Sequence, residues 1–229
     1  EGFYKDYFQY PVDLVSGSSL ANQGATYSSV YGASEVAFNG KGKASGFEIL
    51  NRWNYKTFSI LASYTYVRSL FTDIQNNYIP SSWDSKHLLT ITTSKDLKRN
   101  WQLGFKWRYV GGLPYTPYDL ETSSNIQAWD AIGQPYLDYS QLNSKRFSAF
   151  HQLDLRIDKN YFFNKWTLML YFDIQNAYNF KNKGQDFIIR EKDMDGNYLT
   201  MNDGKQYILQ SVENLSGTVL PSIGIMLKF

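Results

Sequence analysis

The chain has 229 residues, a formal net charge of +2, no cysteine and 17% aromatic residues, with tyrosine alone contributing 19. The near-neutral charge, with no dense lysine or arginine cluster, argues against nucleic-acid binding, and the lack of cysteine excludes a disulfide framework or a thiolate metal site. No run of about eighteen apolar residues exists, which excludes a transmembrane helix but not a transmembrane β-barrel, whose alternating strands halve the apparent hydrophobicity.

In chain order, Phe3 to Pro11 is aromatic and strand-like, and Pro11, lacking an amide donor, predicts its end. Asp13 to Gly42, rich in Ser, Gly, Asn and Ala, reads as a long loop. Phe47 to Trp53 carries Glu48 and Arg52 on one face and Phe47, Ile49 and Trp53 on the other. After a turn at Asn54-Tyr55-Lys56, Phe58 to Val67 sets Phe58, Ile60, Ala62, Tyr64 and Tyr66 against Ser59, Leu61, Ser63 and Thr65. Leu70 to Lys86 is a second loop. His87 to Lys95 is a Thr-rich strand with Leu89 and Ile91 on its apolar side. A corner at Lys98-Arg99-Asn100 leads to Trp101, Leu103, Phe105, Trp107 and Tyr109, which alternate with Gln102, Gly104, Lys106 and Arg108.

Gly111 to Ala149 is a third long loop. Phe150 to Tyr178 then gives the clearest signal. Gln152, Asp154, Arg156 and Asp158 alternate with Leu153, Leu155 and Ile157. Past a corner at Phe162 to Lys165, Trp166, Leu168, Leu170, Phe172 and Ile174 alternate with Thr167, Met169, Tyr171, Asp173 and Gln175. Asn179 to Val219 is a fourth loop, in which Asp195-Gly196 predicts a small hairpin between Phe187–Ile189 and Tyr198–Thr200. Leu220 to Phe229 closes the chain with Ile223, Ile225, Leu227 and Phe229 on one face.

Period-two alternation means strands. Arms of about ten residues are long enough to cross a bilayer at a tilt, and aromatic residues gather at their ends as at a headgroup boundary. Corners of a few residues alternate with long loops that an ordinary compact domain does not need. The fold class expected is therefore all-β: an antiparallel transmembrane β-barrel with about eight strands in this chain. Short turns would lie in the periplasm and long loops outside, leaving the C-terminus periplasmic. The polar face, with Glu48, Arg52, Lys106, Arg108, Asp154, Arg156, Asp158 and Asp173, would line the lumen, contacting water, a plug or a ligand.

The third loop is rich in rings: Tyr115, Tyr118, Trp129, Tyr136 and Tyr139 either stack on a ligand or pack loop against loop. His87, near Asp84 and Ser85, reads as a polar rim residue rather than a catalytic base, and His151 as an interfacial residue. Asp193, Asp195, Asn197 and Asp203 lack the spacing and terminal glutamate of a calcium loop and read as a solvated turn. No phosphate-binding loop or cofactor motif is present, and neither an enzyme nor a cofactor is expected. The chain opens at Glu1 with no methionine or signal sequence, so an exported protein is expected to have carried something upstream.

The run Phe150 to Lys159, with Trp166 and Tyr171-Phe172-Asp173-Ile174-Gln175-Asn176-Ala177-Tyr178-Asn179, resembles the closing hairpin of TonB-dependent outer-membrane receptors of the Bacteroidetes type. Gly46-Phe47-Glu48, Ile79-Pro80-Ser81-Ser82-Trp83-Asp84 and Gly112 to Asp119 fit the same pattern, so the resemblance spans nearly the whole chain. It implies a 22-stranded barrel embedded in outer-membrane lipid, with an N-terminal plug and a segment engaging TonB. This chain would be its C-terminal portion. It also implies a scarce nutrient bound at outer loops (a siderophore, glycan or peptide), and Phe229 as the signal read by the barrel-assembly machinery. Some such barrels pair with an outer-membrane lipoprotein or serve as subunits of envelope complexes. No ligand residue carries over, because the loops diverge. Eight strands could also close alone, as an anchor or adhesin.

Overall fold

Eight long strands form one antiparallel sheet in the computed structural model, which describes residues 1–22 and 35–229. They are β1 (Gly2–Asp13), β2 (Val36–Tyr55), β3 (Phe58–Thr72), β4 (Lys86–Leu97), β5 (Trp101–Val110), β6 (Phe150–Phe162), β7 (Thr167–Gln175) and β8 (Leu220–Lys228). Each pairs with its neighbours in chain order, and Tyr78–Pro80 adds a short strand to the end of β3. β1 pairs only with β2 and β8 only with β7, so among the described residues the sheet stays open. Among the described residues no helix is long and apolar enough to cross a membrane. The helices in the third loop, α1 (Leu120–Ser124) and α2 (Ile126–Ile132), are short.

The expected corners are tight turns at one end of the sheet. Lys56 (φ 53°) turns β2 into β3, while Arg99 and Asn100 (both φ 60°) turn β4 into β5. The β6–β7 corner closes through the Phe163 amide donating to the Trp166 carbonyl at 2.9 Å, with the two rings stacked 4.1 Å apart.

Three expectations are corrected. Pro11 does not end β1, which continues to Asp13. The register slips between Tyr7 and Tyr10 and again between Tyr10 and Val12, and Pro11 sits in that irregularity, where a missing amide costs no ladder bond. β2 spans 20 residues and begins at Val36, so part of the expected first loop is strand extending beyond the alternating segment. In the fourth loop, Gly196 (φ 87°) does form a turn, but around a single bridge, Lys192 with Tyr198. Phe187–Arg190 instead pairs with Leu209–Val212, and Thr200–Met201 with Gln206–Tyr207. A second turn, Asn202 to Gly204, has positive φ throughout and competes successfully for these strands.

The cross-strand register separates two faces. Lys95, Leu103, Ile157, Phe172 and Ile223 form one row; Thr93, Phe105, Leu155 and Ile174 form the next. On the other face, Lys106 lies between Thr92 and Asp154, and Asp173 opposite Arg156. No layer of the described residues covers the apolar rows: Phe105, Leu155, Phe172 and Ile223 stay exposed. The buried hydrophobic residues, Val12, Phe71, Trp129, Leu142 and Tyr207, all lie at the long-loop end or in the loops. A sheet whose apolar face has no core beneath it needs another apolar medium.

Rings flank that face at both levels. Near the turns are Trp53 stacked on Tyr55, Trp101, Tyr161 and the Phe163–Trp166 pair. Near the long loops, Tyr64 and Tyr66 surround His87, while His151 meets Tyr178 and Phe180. His87 therefore belongs to the ring belt of the apolar face rather than to a polar rim; its Nδ1 is 2.8 Å from the Tyr64 hydroxyl. His151 likewise meets the Tyr178 hydroxyl at 2.7 Å, at an end of the same face. Tyr109 lies eight residues beyond Trp101 on β5. At ~3.4 Å per residue and a ~40° tilt, that separates the belts by about 20 Å, close to the height of an outer-membrane apolar band.

Candidate functional site

The chemistry that is not membrane-like concentrates at the long-loop end, where Asp84 is fully buried. One carboxylate oxygen accepts from Arg68 Nε at 3.0 Å and from the Ser69 amide at 2.8 Å; the other pairs with Arg146 Nη2. Arg146 Nη1 also donates to the carbonyls of Asp84 (2.5 Å) and Gly112 (2.9 Å). One carboxylate thus fastens the second loop to β3 and to the far end of the third loop. A Cβ on Gly112 would lie 1.8 Å from the Phe147 carbonyl, so this close approach of the two chain segments requires glycine.

Asn143 is a second buried junction. Its Nδ2 donates to the carbonyls of Asn22 (3.1 Å) and Pro80 (2.9 Å), and its amide donates to Thr116 Oγ1 at 3.0 Å. Ser82 Oγ donates to the same Asn22 carbonyl at 2.9 Å. These bonds join the first three loops into a plate. Beside the plate is a cavity of about 660 Å³, lined among others by Asp73, Tyr78, Pro80, Tyr139, Asn143 and Arg146. Its mixed polar and aromatic lining suits a polar solute with some apolar surface.

Farther out, the third and fourth loops meet at Arg190. Its guanidinium lies 3.7 Å from the Tyr198 ring centroid, 4.9 Å from Tyr207 and 5.6 Å from Trp129. Its Nη1 bonds Asp130 at 3.3 Å, and the Tyr207 hydroxyl donates to Asp130 at 3.1 Å. Asn125 bridges to Gln206, and the Ile126 amide donates to the Lys205 carbonyl. Stacking of a partly desolvated arginine contributes about 1–2 kcal/mol. Arg190→Ala is therefore expected to loosen α2 as well as its own loop. Faster amide exchange at Trp129 and Gly133, on the partner loop, checks this.

Of the sequence-predicted rings, Tyr115 stacks on Phe147 at 4.2 Å, and the Tyr136 hydroxyl donates to the Ala128 carbonyl at 3.0 Å. Trp129 is only 4% exposed. Tyr118 is half-buried, and burial together with the Asp186 carboxylate raises its hydroxyl pKa. Tyr115 and Tyr136 thus pack within the third loop, Trp129 and Tyr118 meet the fourth, and Tyr139 lines the cavity. Arg146, Asn143 and Arg190 were not singled out from sequence. In the sequence Asp84 stands out only as a neighbour of His87 and as part of the Ile79 to Asp84 run of the family resemblance, not as a buried carboxylate.

Asp193 anchors the Gly196 turn, accepting from the amides of Asp195 (2.9 Å) and Asn197 (2.8 Å). The Asn197 backbone and side-chain bonds hold its pKa below the usual 3.8. A depressed folded pKa means the turn gains stability above the unfolded value and loses it as pH falls through the folded one. The Asn197 amide is expected to lose exchange protection below about pH 4, relative to Gly133.

On the polar face, Arg108 pairs with Asp154 at 3.2 Å and Arg156 with Asp158 at 2.8 Å. Arg156 also stacks 4.1 Å from the Tyr171 ring, which occupies the space left by Gly224. Glu48, Arg52, Lys106 and Asp173 make no ion pair among the described residues. Phe229, just past β8, is 92% exposed.

A scan against protein-family models finds no match, and neither does a search of curated proteins. Among solved structures, the chain is similar to the ferripyoverdine receptor of the outer membrane of Pseudomonas aeruginosa, determined bound to ferripyoverdine, at 14% identity and a TM-score of 0.52. The match covers 98% of this chain and 24% of the receptor chain. At that identity the likeness is one of fold alone: the chain folds like a segment that makes up about a quarter of that outer-membrane receptor's chain.

Proposed function

We propose that this chain is the C-terminal barrel portion of a TonB-dependent outer-membrane receptor. Such a receptor binds a scarce nutrient at its outer loops and imports it with energy delivered through TonB. The observation that carries the reading is the open sheet: its uncovered apolar face lies between two ring belts, and its long loops are knitted into a platform at one end. The likeness to a receptor barrel supports it, as does the closing-hairpin resemblance to Bacteroidetes-type receptors. On this reading the short turns and the C-terminus are periplasmic and Phe229 engages the assembly machinery. The edges of β1 and β8 pair with the remaining strands, and the polar face meets the plug. A siderophore, glycan or peptide fits the platform, and the role is transport rather than catalysis.

A self-contained eight-stranded barrel would pair β1 with β8. Cysteines at Tyr4 and Ile225, tested for a disulfide in the membrane-inserted protein, separate the two readings. The receptor reading expects none, and efficient cross-linking overturns it. Nutrient uptake that persists after removal of TonB would overturn the energy source.

A further inference from the structure

The end of the sheet that carries the tight turns is strongly basic. Lys56, Lys95, Lys98, Arg99, Lys159 and Lys165 lie at or beside the three turns, and none forms an ion pair among the described residues. The two nearby acids both lie on the polar face: Asp96 accepts from Gln102 at 2.7 Å, and Asp158 pairs with Arg156. Directly above this rim, on the apolar face, is a groove of about 440 Å³. Phe58, Leu103, Phe105, Leu155 and Phe172 line it; of the two basic residues in its lining, Arg156 is paired with Asp158 and Lys95 has no ion pair among the described residues.

The register fixes how the rim and groove meet. Lys95 shares a row with Leu103 and Ile157. One row nearer the turns, Lys159 lies opposite Trp101. Its ammonium sits 5.2 Å from the Trp101 ring centroid and 5.3 Å from that of Tyr161, and donates to the Arg99 carbonyl. These contacts hold the charge at the level of the ring belt rather than letting it drift into water. An apolar trough ending at two cations, one of them held at the ring belt, is complementary to one class of amphiphile: hydrocarbon chains joined to an anionic head.

We infer that this groove and its basic rim form a binding site for a single anionic phospholipid, with acyl chains along Leu103, Phe105 and Leu155 and the phosphate between Lys95 and Lys159. This rests on the apolar face being the lipid-contacting one. The site would seat the turn end of the sheet at a defined depth in the leaflet it faces.

Native mass spectrometry of the whole receptor in mild detergent, titrated with phosphatidylglycerol or phosphatidylcholine, tests the inference. Phosphatidylglycerol is expected to be retained preferentially. Each lysine replaced by glutamine should weaken it about fivefold, so Lys95→Gln with Lys159→Gln should weaken it about 25-fold. Lys95→Arg with Lys159→Arg should restore it. Equal retention of both lipids, or no effect of the double glutamine variant, overturns the site. So does displacement of the lipid by millimolar inorganic phosphate, which would show a head-only contact. The membrane reading fails separately, if the protein stays monomeric and folded in water without detergent and retains neither lipid.

Discussion

Asp84→Ala is expected to strip the loop platform of the anion that holds it together. The carboxylate is fully buried, and its loss leaves Arg68 and Arg146 facing each other without a counter-charge, along with an unmatched Ser69 amide. Removing one partner of a buried pair costs about 3–5 kcal/mol. Here the arginine side chains keep 35% and 27% exposure, so water recovers part of that and about 2–3 kcal/mol is expected. The loss should be local. The sheet should survive while the second and third loops become open to protease added to the protein in detergent. Asp84→Asn keeps an acceptor for Ser69 but not the charge, and should fall between. Unchanged protease resistance in Asp84→Ala would mean the platform is held mainly by Asn143 and its partners.

The second large effect concerns the medium around the sheet. Leu155 sits mid-strand on the apolar face, flanked by Phe105 and Ile174 and exposed among the described residues. Arginine there should cost about 2–4 kcal/mol if hydrocarbon surrounds it. Gln102→Arg supplies the control, placing the same side chain on the polar face between Asp96 and Asp158, its neighbours across the ladder. It should change stability by no more than about 0.5 kcal/mol. Urea unfolding in lipid vesicles reads both. Equal effects of the two variants would mean that both faces meet water, and the barrel assignment would go with that result.

The strands were legible because period two is a local property, and lipid on one face enforces it residue by residue. Leu153, Leu155 and Ile157 announce a face without reference to any distant residue. The same rule explains where legibility stopped. Gly40 to Gly42, in the outer part of β2, carries no apolar side chain to mark a face and read as loop, and Pro11 read as a stop until the bulge in β1 gave it a place.

The platform was not legible for a different reason. Asn143 bonds Asn22 across 121 positions, and Arg146 reaches Asp84 across 62. Nothing adjacent in sequence marks either pairing. Trp129 and Tyr115 looked available for a ligand because aromaticity is visible in a sequence and burial is not. Sequence by itself determined which side chains share a face and where the chain turns, since both depend on neighbours within a few residues. Which loops grip one another, which rings remain open, and that β1 and β8 keep unpaired edges were decided only by the tertiary structure, because those bonds form between segments that chain folding alone brings together.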